Sequence, residues 1–256
     1  ALEAAIKPNT RFIFSESPTN PYLNVFDLVR FNEIARRHKI MSIIDSTFAT
    51  PFNQRPLEFG IDLVTHSATK YLAGHNDILA GCVLGKKEII DKIRALHKSM
   101  GGLIDPHCCY LLLRGLKTFP LRVEHQNKSA LTVARFLEGH AGIQKVYYPF
   151  LESHRHYTIA KEQMVGGGGV VSFDIKGDLE LAKRFMDALE MIYIAPSLGG
   201  VETLITHPAT VSYYDYTREA RYELGITDTL FRLSVGIEDV QDIMGDIERA
   251  LAKARK

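Results

Sequence analysis

The sequence of 256 residues has no tryptophan, only three cysteines and no long hydrophobic run. Cys82, Cys108 and Cys109 are odd in number and lack CxxC spacing, which argues against a disulfide framework and a zinc site. This usage is typical of an intracellular protein with reduced thiols, so we expect a cytoplasmic location. Apolar runs such as residues 110–113 fall far short of the roughly 20 residues that cross a bilayer.

The sequence also lacks an excess of positively or negatively charged residues. The 31 basic and 30 acidic residues give a net charge of +1 and are well mixed along the chain. This balance argues against a nucleic-acid partner and against an anionic membrane surface. Ten histidines are present, but none form a cluster with metal-ligand spacing, so no metal site is predicted.

Short apolar runs alternate with stretches of helical periodicity. We predict strands at residues 12–14, 41–45, 61–66, 78–85, 146–148, 170–175, 191–195 and 230–235. We predict helices at residues 27–38, 87–100, 117–140, 178–189, 216–224 and 240–254, and one that starts at Asp105-Pro106. This alternation favours an α/β architecture with a sheet that is at least partly parallel. A boundary near Arg122 is expected to separate residues 1–121 from residues 122–256.

Lys70 and Asp45 each follow an apolar run, in the manner of active-site residues at the carboxyl ends of parallel strands. A lysine amine can form an imine with an aldehyde, and the hydroxyls of Ser67 and Thr69 can donate to a phosphate. The Asp45 carboxylate can pair with a pyridinium nitrogen, each charge favouring the other. Together these residues predict a pyridoxal phosphate site. The plainer alternatives are a polar turn around Lys70 and a turn or helix cap at Asp45.

Asn20 and Arg232 are two further polar residues whose sequence surroundings suggest a function. Asn20 lies on a loop that Pro18 and Pro21 hold extended, and it could donate to the cofactor's ring oxygen or simply form a turn. Arg232 interrupts an apolar strand pattern, which is costly unless its guanidinium is matched. A substrate α-carboxylate is the functional candidate, and an ion pair with Glu238 or Asp239 is the structural alternative.

Over essentially its whole length the chain resembles the Cys/Met-metabolism family of pyridoxal phosphate enzymes. The resemblance rests on segments 16–21, 45–51, 67–71, 74–77, 114–118, 197–200 and 232–239. It implies an aspartate-aminotransferase-like (type I) α/β fold, with a mostly parallel sheet in a large domain and a smaller α/β carboxyl-terminal domain. It also implies pyridoxal 5′-phosphate as a Schiff base on Lys70, and a homotetramer built as a dimer of dimers. A plastid location becomes an alternative if the source is a plant.

The resemblance implies a role for each matching residue. Lys70 is similar to the Schiff-base lysine and proton shuttle, and Asp45 to the pyridinium partner. Ser67 and Thr69 are similar to residues that bind the phosphate, and Asn20 to the residue that contacts the ring oxygen. Ser197 and Arg232 resemble the site for the substrate carboxylate. Glu202 stands at a position that is linked in the family to the choice of reaction.

Segments 75–82 and 193–197 look most like those of enzymes that join cysteine to an O-activated homoserine, giving cystathionine. This γ-replacement is therefore the expected reaction. A γ- or β-lyase acting on cystathionine or methionine, and a sulfhydrylase, stay open on the same scaffold. A lysine-dependent aldolase, which forms an imine without a cofactor, is a rival from another class.

Family members carry, upstream of the matching region, a stacking tyrosine, a glycine-containing phosphate loop and a Tyr/Arg pair lent to the neighbouring subunit. Residues 1–6 resemble the middle of an amphipathic helix without a cap. We therefore expect a fragment of a longer enzyme or one piece of a cleaved one. The non-enzymatic alternative is an inactive truncated module.

Overall fold

Two β-sheets organise the chain, one from each half of the sequence. The computed structural model describes residues 2–255. The first sheet has strand order β1-β2-β3-β4, with strands Phe12–Glu16, Met41–Asp45, Leu63–Ser67 and Gly81–Gly85. β1, β2 and β3 are parallel and β4 runs antiparallel to β3. The prediction of an α/β fold with a partly parallel sheet is confirmed.

The second sheet has the order β5-β6-β9-β8-β7. Its strands are Ile143–Tyr147, Val170–Ile175, Tyr193–Ile194 (β7), Leu204–Thr206 (β8) and Leu230–Ser234 (β9). Only β7 and β8 are a parallel pair. β8 was not predicted, because a segment of only three residues shows too little alternation of apolar and polar side chains to identify a strand.

Nine α-helices lie within residues 2–255. They are Leu28–His38, Thr50–Asn53, Lys87–Met100, Pro106–Leu116, Phe119–Gly139, Tyr157–Gln163, Leu179–Asp187, Arg218–Glu223 and Val240–Ala254, numbered α1 to α9. The short helices α2 and α6 were not predicted. The long helix α5 begins at Phe119, later than predicted, since Pro120 is tolerated only in a helix's first turn. The predicted domain boundary falls inside α5 and remains a prediction.

Two elements predicted near the first sheet, one before β1 and one at β4, differ from the observed ones. The amphipathic helix expected at residues 1–6 is a single 3₁₀ turn, Glu3–Ala5, because Pro8 disfavours helical geometry in the residue before it; Ala1 lies outside the described residues. The strand expected at 78–85 starts only at Gly81. The backbone of Ala80 instead bonds to Thr69, which fixes the turn that contains Lys70.

The largest buried cluster lies between one face of the second sheet and the helices α5, α7 and α9. Phe173, Phe185 and Phe231 are completely buried and pack edge-to-face or stacked, with ring centroids 5.0 to 6.4 Å apart. Such aromatic pairs add stability beyond their buried area. β9 is thus held rigidly at the centre of its sheet, and β9 carries Arg232.

Asp246 holds the turn that leads to β7 and then to Ser197. Its carboxylate, on a side chain only 2% exposed, accepts hydrogen bonds from the backbone amides of residues 190–192 at 2.9 to 3.0 Å and pairs with Arg249. We expect Asp246→Ala to lower the free energy of unfolding by about 3 kcal/mol, because the three buried amides lose their acceptor. Chemical denaturation measures this effect, and Asp242→Ala, on the exposed face of α9, is the control. Equal stability of the two variants would contradict the assignment.

Within residues 2–255 no helix combines the length and apolar character that spanning a membrane requires. The same residues contain no group of three or more His, Cys, Asp or Glu side chains placed to hold a metal ion. Cys82, Cys108 and Cys109 are free thiols.

Candidate active site

Asp45 and Ser67 lie at the same edge of the first sheet. Asp45 ends β2 and Ser67 ends β3, and the two strands are parallel, with Asp45 opposite Thr65. The chain then turns immediately, and Lys70 follows Ser67 with its amide bonded to the Ser67 carbonyl at 3.1 Å. The predicted gathering of Lys70 and Asp45 at the carboxyl ends of strands is the arrangement found.

The Asp45 carboxylate forms two hydrogen bonds. Oδ1 accepts from the Thr47 amide at 2.9 Å, and Oδ2 accepts from the Thr65 hydroxyl at 3.2 Å. The first bond is the local turn that was the alternative reading of Asp45; the second fixes the carboxylate's orientation. The Thr47 hydroxyl in turn accepts from the Ser67 amide at 2.8 Å, so the ends of β2 and β3 are tied together. A carboxylate held this rigidly can face a cationic ring without reorganisation.

Lys70 projects from the turn towards the second half of the chain. Its Nζ lies 3.1 Å from Ser197 Oγ, across a separation of 127 residues. Partial burial, and secondarily the positive charge of Arg232, lowers the pKa of Lys70 below that of an ordinary lysine. A larger share of the amine is therefore neutral near pH 7, and a neutral amine is the form that attacks an aldehyde.

The two hydroxyls beside Lys70 differ in their contacts. Thr69 Oγ1 accepts from the Ala80 amide at 2.9 Å and donates to the Ala80 carbonyl at 3.3 Å. The Ser67 hydroxyl makes no hydrogen bond to residues 2–255. Ser67 can thus donate to a phosphate directly, whereas Thr69 must first release the Ala80 carbonyl, since a hydroxyl has one proton to donate.

Arg232 is a guanidinium with no carboxylate partner among residues 2–255, although it is only 6% exposed. Nη1 donates to Asn20 Oδ1 at 3.1 Å, and Nη2 donates to the Pro196 carbonyl at 2.8 Å and to Thr206 Oγ1 at 3.3 Å. Nε is buried and has no partner. Burial lowers the pKa of Arg232. A buried cation in this state is costly, and an incoming carboxylate would relieve the cost.

The ion pair offered as the structural alternative for Arg232 is not formed. Glu238 accepts from the amide and the hydroxyl of Thr203 at 2.6 and 2.7 Å. Asp239 caps α9 by accepting from the Gln241 amide at 2.8 Å. Both carboxylates are therefore engaged elsewhere, and that alternative is wrong.

Asn20 lies beside the Arg232 guanidinium. Its Oδ1 is the acceptor for Arg232, so its NH₂ group remains available as a donor. The loop that carries Asn20 is fixed at both ends: the Asn20 amide donates to Glu16 Oε1 at 2.8 Å, and Ser172 Oγ donates to the Pro21 carbonyl at 2.6 Å. Asn20 is thus held on a rigid loop between the two sheets.

Asn76 connects two of the predicted residues and was missed as a site residue. Its Oδ1 accepts from Ser197 Oγ at 3.3 Å, and its Nδ2 donates to Glu202 at 2.9 Å. Its backbone is left-handed, with φ +55°, a conformation that asparagine tolerates better than most residues. Segment 74–77 contributed to the family resemblance, but nothing in the sequence shows which loop Asn76 approaches.

A cleft of about 500 Å³ opens where these parts meet. Its walls include Thr69, Lys70, Asn76, Asp77 and Ser197. Glu202 is one hydrogen bond from the walls, through Asn76. Asp45, Ser67, Asn20 and Arg232 are not among the walls. Arg232 donates to the carbonyl of the wall residue Pro196, and the Ser67 carbonyl accepts from the amide of the wall residue Lys70. Asn20 is bonded to Arg232, and Asp45 is bonded to Thr47, whose hydroxyl accepts from the Ser67 amide.

The chemistry of these groups fits the cofactor that the resemblance implies. Pyridoxal phosphate needs an amine for its aldehyde, a carboxylate for its pyridinium and donors for its phosphate. Lys70 supplies an amine of lowered pKa, Asp45 an oriented carboxylate and Ser67 an unengaged hydroxyl.

Comparison with known proteins also indicates a pyridoxal phosphate enzyme. Residues 1–252 match the family described as Cys/Met metabolism PLP-dependent enzyme. The chain is 48% identical to the chloroplastic cystathionine gamma-synthase 1 of Arabidopsis thaliana, covering 98% of this chain and 45% of that protein. It is 46% identical to the L-methionine gamma-lyase of Fusobacterium nucleatum subsp. nucleatum, with 98% and 65% covered. The chain thus spans about half to two thirds of the length of these relatives.

Among solved structures, the chain resembles the crystal structure of cystathionine gamma-lyase from Lactobacillus plantarum complexed with L-serine. The TM-score is 0.95 at 39% sequence identity, over 100% of this chain and 67% of that one. The fold is the type I fold of pyridoxal phosphate enzymes, as expected. By its matched residues and its fold, the chain belongs to the Cys/Met metabolism family of PLP-dependent enzymes.

Proposed function

We propose that the natural protein catalyses γ-replacement on an O-activated homoserine, joining it to cysteine to form cystathionine. The observation that carries the proposal is the contact of Lys70 Nζ with Ser197 Oγ at 3.1 Å, next to a buried Arg232 that lacks a carboxylate partner. An amine that can bind an aldehyde lines the cleft, and a cation that can bind an α-carboxylate lies behind its wall, bonded to the Pro196 carbonyl. This combination suits an amino acid as substrate.

Lys70 would hold the cofactor covalently, Asp45 would face its ring nitrogen, and Ser67 with Thr69 would contact its phosphate. When bound, pyridoxal phosphate supplies an electron sink for negative charge that develops on the substrate's carbons. When it is not bound to the cofactor, Lys70 Nζ would be placed to take one proton from the α carbon and then one from the β carbon. The Cγ–O bond would break with the activated oxygen leaving as an anion, and the Cγ–S bond would form as the cysteine thiol gives up its proton. Its lowered pKa favours the neutral, basic form that this role requires.

The carboxylate of the substrate would bind at Arg232 and Ser197. Arg232 already has its Nη atoms aligned by Asn20 and Pro196, so little side-chain freedom is lost on binding. The crystal structure of cystathionine gamma-lyase from Lactobacillus plantarum is a complex with L-serine, which is an amino acid. Its complex supports an amino-acid substrate for this chain.

Two carboxylates near the mouth of the cleft support replacement, which requires a second amino acid. Asp77 lines the cleft, and Glu202 is held beside it by Asn76. Either can accept the ammonium group of an incoming cysteine. The second candidate function is γ-elimination, as in a cystathionine or methionine γ-lyase, and it is favoured by the relatives with those names at 45 to 46% identity.

Product analysis distinguishes the two functions. We expect the cofactor-loaded natural protein, given an O-acylhomoserine and cysteine, to form cystathionine. We expect it to release little ketoacid from cystathionine or methionine alone. Release of ketoacid from those two amino acids without any synthesis would reject γ-replacement in favour of a lyase. Liquid chromatography with mass spectrometry measures all the products in one assay.

The homo-oligomer implied by the resemblance is also proposed here. α3 buries none of its residues, although its sequence is amphipathic. Leu96 and Met100 on α3, and Tyr110 and Leu113 on α4, are largely exposed apolar side chains. Such a surface supports contact with a second copy of the chain.

A further inference from the structure

Asn76, on the wall of the cleft, has a side-chain amide that its neighbours hold in place. A methyl group added at Gly200 would collide with this amide, so the amide packs directly on the Gly200 backbone. The Gly200 carbonyl in turn accepts a hydrogen bond at 2.7 Å from Nε2 of Gln126, which is completely buried. The Asn76 amide therefore lies against a fixed surface and has little freedom to move.

The hydrogen bonds of Asn76 determine which end of its amide faces each partner. A carboxylate only accepts, so the NH₂ group must face Glu202, to which it donates at 2.9 Å. The amide oxygen then faces Ser197 Oγ at 3.3 Å. Because this oxygen carries no hydrogen, the Ser197 hydroxyl must be the donor. Glu202 thus sets the direction of the Asn76 amide, and Asn76 sets the direction of the Ser197 proton.

The direction of the Ser197 proton decides what Ser197 does at Lys70. A hydroxyl has one proton, and Asn76 accepts it, so Ser197 Oγ can only accept from Lys70 Nζ, 3.1 Å away. A neutral amine has two protons and one lone pair, and here a proton makes the contact. The lone pair is therefore left free. The Ser197 backbone amide, which has no acceptor among residues 2–255, stays available to a substrate carboxylate.

We propose that Asn76 is a positioning residue for Lys70: it accepts the Ser197 proton and so keeps the lone pair of the amine free. The inference rests on the proposed role of Lys70 as the amine that binds pyridoxal phosphate. In that step the Nζ lone pair forms a bond to the aldehyde carbon, and the aldehyde oxygen leaves as water with the two protons of the amine. A lone pair that accepted from Ser197 would first have to break a hydrogen bond.

Reloading of the natural, full-length protein with pyridoxal phosphate tests the proposal. The visible absorbance of the imine gives its rate of formation, measured at saturating cofactor and at rising pH up to the plateau where Lys70 is neutral. We expect Asn76→Gly to lower the plateau rate about fivefold, the factor that corresponds to one hydrogen bond of about 1 kcal/mol. Glycine adopts the left-handed backbone of Asn76 without strain, so the loop is preserved.

A double-mutant cycle separates this role from a general effect on the loop. In Ser197→Ala no hydroxyl can engage the lone pair, so adding Asn76→Gly is expected to have no further effect on the plateau rate. The double variant Asn76→Asp/Glu202→Gln exchanges the amide and the carboxylate and keeps an acceptor for Ser197, so it is expected to retain most of the parent's rate. Asn9→Gly, in an exposed turn before β1, is the control and should leave the rate unchanged.

Three results would overturn the inference. They are a parent-like plateau rate in Asn76→Gly, an equal loss of rate with and without the Ser197 hydroxyl, and a rate in the exchanged double variant as low as in Asn76→Gly. If Lys70 of the parent protein formed no imine, the proposed function would fail and this inference with it. If the imine formed in the parent and Asn76→Gly left its rate unchanged, only this inference would fail.

Discussion

Replacing Lys70 by alanine is expected to lower kcat/KM by about 10⁴-fold, the upper end of what a positioned proton-transfer group contributes. The amine contacts Ser197 Oγ at 3.1 Å, and burial lowers its pKa. The variant loses both the covalent anchor of the cofactor and the base at the α carbon. Steady-state kinetics with the natural protein, saturated with cofactor, measures the effect.

The control for Lys70→Ala is Lys253→Ala, on the exposed face of α9. It removes the same charge and side chain at a distance from the cleft, so activity should be unchanged. Added methylamine should restore part of the activity of Lys70→Ala, because a free amine can replace the missing base. A Lys70→Ala variant with activity within tenfold of the parent would be incompatible with the proposed role.

Arg232→Leu is expected to raise the KM for the amino-acid substrate by about 100-fold, since two hydrogen bonds to a carboxylate are each worth about 1.5 kcal/mol or more. The guanidinium is buried, aligned by Asn20 and Pro196, and without a carboxylate partner in the described part of the chain. Because the lost contacts bind the substrate rather than the reacting atoms, kcat should fall much less than KM rises.

Arg232→Lys separates charge from geometry. Lysine keeps the positive charge but lacks the planar pair of donors, so its KM should rise by a smaller factor, about tenfold. Circular dichroism verifies that both variants are folded. If KM were unchanged in Arg232→Leu while the fold was intact, the substrate carboxylate would have to bind elsewhere.

Much of the site could be predicted because its residues break local patterns. Arg232 is a charge within an apolar strand, and Asp45 is a carboxylate at the end of one; both are visible without a structure. A partly parallel sheet was predicted from the alternation of strands and helices. The observed parallel pairing of β2 with β3 places Asp45 and the turn that carries Lys70 at one edge. The sequence alone could not decide whether Arg232 forms a substrate site or an ion pair. The answer depends on which donors bind Glu238 and Asp239 in the folded chain.

What could not be predicted depends on contacts between distant segments. Asn76 bridges Ser197 and Glu202 only because its left-handed backbone meets a loop more than 120 residues away. Thr69 donates to Ala80 because β4 pairs antiparallel beside β3, an orientation that no local pattern specifies. Short elements such as β8 were missed since three residues carry almost no periodic signal.

The central claim is that Lys70 is the covalent anchor of the cofactor. Sodium borohydride reduction of the cofactor-loaded natural protein, followed by peptide mass spectrometry, tests it most directly, since reduction fixes the imine as a stable amine. A pyridoxyl modification on Lys70 is the predicted result. An unmodified Lys70 in protein shown to be saturated with cofactor would contradict the account.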